Sequence, residues 1–197
     1  MTDVLAEVRA HLRAYFAGAG ITGDPDSASV TFLGTEPIGV LRFGPDDDGV
    51  HHYVSLGCSR HPMTDPADIA ADPLRGPRAE VMVSLRGPSP TGLARSVAVL
   101  GAAPAVEGLV LAPDALVDLE SPLWDGGPFT AFLLGDSDIG DVKLPTPREP
   151  VAVLSATPIT ATEAAWVRLK GAEAMRKAWL TDRVDVLDPT RRASSPN

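Results

Sequence analysis

Apolar positions in the first twenty residues recur at helical spacing. Val4, Leu5, Val8, Leu12, Tyr15 and Phe16 fall three or four apart, with Glu7, Arg9 and Arg13 on the other side. This predicts an amphipathic helix, stopped by Gly18 and Gly20, whose mixed charges suit a helix covering a sheet better than one lying on a membrane. The period then changes. Residues 28–33, 38–43 and 51–56 are rich in β-branched and aromatic side chains and are separated by short turn clusters, the pattern of antiparallel strands. A Pro-, Asp- and Gly-rich loop follows, from about residue 58 to residue 78. Residues 79–86 alternate Val81, Val83 and Leu85 against Glu80, Ser84 and Arg86, with Met82 the one apolar exception, which predicts a strand with one buried face. Ser89 followed by Pro90 reads as an N-cap and first turn, opening a helix that carries Leu93, Val97 and Leu100 and ends before Pro104. A short strand is expected at residues 115–119. The nearly continuous apolar runs at 129–134 and 151–156 suit central strands buried on both faces. Thr160 and Glu163 form a capping-box pattern before a helix bearing Trp166, Leu169, Ala172, Met175 and Trp179, with a break at Gly171.

These elements predict one α+β domain, a mixed and largely antiparallel sheet flanked by about three helices, over residues 1–188. The polar residues 189–197 are expected to form a disordered tail. The length of 197 residues and the hydrophobic share of 44% suit one soluble globular core. The formal charge of -9 repels phosphate backbones, so nucleic acid is not an expected partner, and the densest basic cluster is only Arg191 with Arg192. No run reaches the length of a membrane span or a signal peptide, and the cytoplasm is the expected compartment. Cys58 is the single cysteine, which excludes an internal disulfide and any zinc site needing two thiolates.

Two constellations invite chemistry. Gly57-Cys58-Ser59 matches the first positions of a nucleophile elbow, but His61 stands where the sharp turn demands glycine. His51, His52 and His61 lie within eleven positions, and Cys58-x-x-His61 has ligand-like spacing; adjacent histidines on a strand, however, point to opposite faces. A metal-dependent or serine hydrolase using Ser59, His61 and His52 is therefore the alternative to a non-enzymatic module. The acidic runs 46–48 and 136–141 lack calcium-loop spacing and read as turns. No cofactor is implied.

From His51 to Met63 the chain reads HHYVSLGCSRHPM and resembles the suppressor of fused family at Tyr53, Ser55, Gly57 and Ser59. The likeness continues in order through residues 80–86, Leu93-Ala94-Arg95, Ser121-Pro122-Leu123, Pro145-Thr146-Pro147, residues 151–156 and Asp188-Pro189. The resemblance implies a fold of mixed sheet and helices without known enzymatic activity. Animal members restrain a zinc-finger transcription factor by clamping an extended peptide between two domains, and this chain resembles only their N-terminal half. Single-domain bacterial members are thought to be immunity proteins against toxins, so the resemblance implies a protein partner of unstated identity. Where animal members place a tyrosine after G-x-S, this chain has Pro62, and their peptide-contacting aspartate falls near Asp72. Read from the residues, Gly57 lets the chain leave its strand sharply and Ser59 satisfies loop backbone groups, presenting Arg60, His61, Pro62 and Asp72 as the expected partner-binding positions.

Overall fold

A computed structural model describes residues 3–194 of the chain. Among these described residues seven strands form one sheet in the order β1-β2-β3-β4-β7-β6-β5. They are β1 (Asp26–Val30), β2 (Ile38–Phe43), β3 (Val50–Leu56), β4 (Arg78–Arg86), β5 (Leu116–Asp118), β6 (Phe129–Gly135) and β7 (Val151–Thr160). Every neighbouring pair is antiparallel except β4 and β7, which run parallel with Arg78 opposite Val151 and Met82 opposite Ser155. The mixed, largely antiparallel α+β domain expected from the pattern is what the chain forms.

Among the described residues four α-helices cover the sheet, one more than the pattern suggested, because Gly171 divides the last one into α3 (Ala161–Lys170) and α4 (Ala172–Thr181). On one face α2 (Leu93–Glu107) buries Leu93, Val97 and Leu100 against Tyr53, Val81, Val83 and Leu85. On the other, α1 (Val4–Gly18) buries Val8, Leu12 and Phe16 against Leu41, Phe43, Val54 and Val153. The α3–α4 pair packs Ala164, Val167, Met175 and Trp179 on Ala131, Leu133 and Ile159. Strand alternation puts this on the face that α1 also covers, further along the sheet.

Several local expectations are corrected. The first strand ends at Val30, leaving Leu33 fully exposed in the following turn. Ser89 does not cap α2; Gly92 in the left-handed region stands at that position without a side-chain bond, and Ser89 Oγ instead meets Tyr53 Oη at 2.6 Å and accepts from Arg42 Nη1 at 2.7 Å. The helix also continues through Pro104 to Glu107, since packing outweighs the one backbone bond that proline forfeits. The capping box at Thr160 and Glu163 is present as read. The residues from Pro189 read as a frayed tail, yet Arg191 and Ser194 are buried against Glu163. Residues 195–197 lie outside the described residues. None of the described helices is long and apolar enough to cross a membrane.

Candidate partner-binding surface

At the end of β3 the chain reverses sharply. Gly57 has φ 143, and a Cβ there would lie 3.0 Å from Pro37 O and 3.2 Å from Ile38 Cδ1, so both conformation and space require glycine. A single 3₁₀ turn, Cys58–Arg60, follows. Two side chains from β4 hold this turn from opposite polarities. Glu80 Oε1 accepts from Gly57 N at 2.9 Å, Ser59 N at 3.0 Å and Ser59 Oγ at 2.6 Å, while its Oε2 accepts from Ser55 Oγ at 2.5 Å. Arg78 Nη1 donates to Ser59 O at 2.8 Å and to Arg60 O at 2.9 Å. Ser55 Oγ also accepts from Val81 N at 2.9 Å, beyond the last ladder pair of β3 and β4 at Val54 and Met82.

The alternation of β4 put Glu80 on a polar face, but its exposure is 0%. Burial pushes its carboxyl above the ordinary glutamate value, opposed by the four neutral donors. Arg78 is only 3% exposed, and burial lowers its pKa from a value far above neutrality, so it stays charged. Burial first, then the neighbouring Glu80, pushes the Cys58 thiol well above its usual range, leaving a poor nucleophile and metal ligand.

Beyond the turn, His61 is exposed and its Nε2 lies 2.7 Å from Glu36 Oε2, with Arg60 Nε at 3.5 Å from the same oxygen. The His61 hydrogen bond, with help from Arg60, holds the Glu36 carboxyl below its usual value. Arg60, His61 and Pro62 line a groove of about 410 Å³ with Glu36, Ile38, Gly57 and Cys58 on one side and Ala102, Pro104 and Ala105 of α2 on the other. Three of the four expected binding positions therefore converge. Asp72 lies outside this lining. Its carboxylate closes its own turn by accepting from Leu74 N at 2.8 Å, and Arg75 stands beside it at 3.8 Å.

The residues of the hydrolase alternative are each committed elsewhere. Ser59 is fully buried on Glu80, and His61 faces Glu36. His52 stands between Ser84 Oγ, 2.8 Å from Nδ1, and Asp46 Oδ2, 3.4 Å from Nε2. That last set has the order of a catalytic relay, but Ser84 sits within a strand and the groove opens elsewhere. Among the described residues no group of three or more His, Cys, Asp or Glu side chains could hold a metal ion. Sequence reasoning missed Glu80, Arg78 and Glu36; an acid between Ala79 and Val81, in a strand of apolar neighbours, was the available signal for the first.

The family model described as suppressor of fused protein matches residues 34–192. The chain belongs to the suppressor of fused family. Its fold is shared with a suppressor of fused homologue from Neisseria gonorrhoeae, at TM-score 0.65 and 18% identity, covering 98% of this chain and 97% of that one. It is shared too with a chain of the Sufu–Fu complex, at TM-score 0.68 and 15% identity over 96% of this chain and 91% of that one. Drosophila Suppressor of Fused matches at TM-score 0.68 and 15% identity, over 98% of this chain but 51% of its own length. No curated protein sequence matches the chain significantly. Within this suppressor of fused domain the motif residues make buried contacts of their own. Ser55, Gly57 and Ser59 all serve Glu80, and Tyr53 is buried with its hydroxyl on Ser89.

Proposed function

We propose that this chain is a non-enzymatic protein-binding module that acts as an immunity-like protein by neutralising a protein partner. The partner docks at the end of the molecule formed by the β1–β2 turn, the Arg60–Pro62 segment and the C-terminal end of α2. One observation carries this reading: among the described residues, five of the seven exposed large apolar side chains lie on the segments that form or adjoin this end. Leu33 follows β1, Val106 and Val110 stand at and beyond the end of α2, and Ile69 and Leu74 occupy the loop after Pro62, all of them exposed. That loop is joined to the end of α2, since Leu111 N donates to Met63 Sδ at 3.2 Å and Pro66 packs on Gly108. Exposed apolar side chains on the segments flanking a groove with a charged rim suit a protein interface. The suppressor of fused chain seen in the Sufu–Fu complex has the same fold and engages a protein, and the -9 charge favours a basic partner.

Replacing Leu33 and Val106 together by Asp tests the placement. The expected result is loss of a partner captured by the wild-type chain, with the melting temperature unchanged; an unchanged captured set overturns it. A toxin encoded beside this gene and inhibited stoichiometrically by the chain supports the immunity role, whereas a neighbouring toxin left fully active by the chain counts against it. Stoichiometric zinc in purified protein, lost on His61→Ala, restores the metal-enzyme alternative.

A further inference from the structure

The Gly57–Arg60 turn has no regular backbone ladder of its own, yet the surface residues Arg60, His61 and Pro62 extend from it. Its polar groups are taken up from beneath by two buried side chains two positions apart on one strand. Glu80 accepts from the donors of Gly57 and Ser59, and Arg78 donates to the carbonyls of Ser59 and Arg60. A carboxylate alone would leave the carbonyls unmet, and a guanidinium alone would leave the amides unmet. The two together satisfy both ends of one short turn in one geometry. We infer that Glu80 and Arg78 are the positioning residues of the docking surface, fixing the turn so that Arg60, His61 and Pro62 meet a partner already ordered.

The inference rests on the proposed docking surface for its meaning, but the clamp is measurable without any partner. Cys58 lies inside the turn, buried, and reports its opening. The probe is 5,5′-dithiobis(2-nitrobenzoate), which reacts with a thiolate it can reach, at native pH and without denaturant. Glu80→Ala and Arg78→Met are expected to speed the reaction about tenfold or more over the wild type by local opening. Glu80→Gln is the decisive control. It removes the charge that adds to burial in raising the thiol pKa but keeps an oxygen to accept from Gly57 and Ser59, so it should speed the reaction only a few-fold.

Glu80→Gln as fast as Glu80→Ala would mean that charge, not clamping, sets the rate, and would overturn the inference. Arg78→Met as slow as the wild type would overturn it equally, since that change leaves the Glu80 charge in place. Where Glu80→Ala fails to fold, Ser59→Ala removes one donor with the carboxylate intact, and it must also accelerate the reaction. The Leu33→Asp/Val106→Asp variant should keep the wild-type rate. If it also keeps the partner, the docking surface fails while the clamp stands; if the clamp variants fail the thiol test, the reverse holds.

Discussion

At Glu163 six donor atoms converge on one fully buried carboxylate, the Thr160 hydroxyl the most distant at 3.4 Å. Arg191 contributes Nη1 at 2.8 Å and Nη2 at 3.1 Å, and Thr160 N, Trp179 Nε1 and Ser194 N each donate at 3.0 Å. Glu80 is equally buried, but its four donors are all neutral. Burial raises both groups, yet at Glu163 the Arg191 bonds and the N–H donors outweigh it and the net pKa is lowered, whereas at Glu80 it stays raised. The signs of their pH dependence are therefore opposite. Glu163, depressed in the folded state, contributes stability above the unfolded value of about 4.3 that is lost as pH falls through its folded pKa. Glu80, elevated, contributes fully below about pH 4.3 and loses that contribution as pH rises through its folded value. Urea unfolding across pH should accordingly show Glu80→Gln gaining on the wild type as pH rises. Arg191→Ala should cost about 3 kcal/mol at neutral pH, with a smaller deficit in acid. A deficit for Arg191→Ala that does not change with pH would contradict the assignment.

At the scale of elements, periodicity was informative wherever one face of a segment meets one partner. The helix at the start, the capping box and the strand at 79–86 follow the spacing of their own residues, whereas 38–43 and 129–134 were marked by β-branched and continuous apolar composition. Pro104 and Ser89 misled for a shared reason: local preference is worth about 1–3 kcal/mol, and tertiary packing of α2 outweighs it. The close seating of α2 shows at Gly101, where a Cβ would lie 3.2 Å from both Ile38 Cγ2 and Ser55 Cβ. Gly101→Ala should therefore lower stability by about 1 kcal/mol despite the better helix propensity of alanine, because overpacking exceeds the propensity gain. Chemical denaturation checks this, and a more stable variant would show that α2 can lift off the sheet at no cost. Burial of Glu80 was not legible from β4 alone. It depends on a turn more than twenty residues earlier folding over that face, and strand alternation carries no information about such a cover.

Across the whole molecule, Arg60, His61 and Pro62 reach one groove because they follow the Gly57 reversal directly in sequence, whereas nothing local marked Glu36 as their neighbour. Its place beside His61 follows from the β2–β3 pairing and the Gly57 reversal, both long-range events. Asp72 shows the converse, since proximity in sequence to a motif did not bring it into the groove. The order of the sheet has one more consequence. Strands β1 to β4 pair only with sequence neighbours, β5 with β6 and β6 with β7 likewise, and the parallel contact of β4 with β7 is the one seam that joins them. Closing that seam brings together residues such as Val81 and Leu154, with α2 and two strands intervening, and so carries the largest loop-closure entropy in the sheet. The two blocks of the sheet should then assemble independently and join in the rate-limiting step. In stopped-flow refolding, Leu154→Ala should slow folding more than an equally destabilising Leu41→Ala, and the opposite order would place the kinetic bottleneck inside a block.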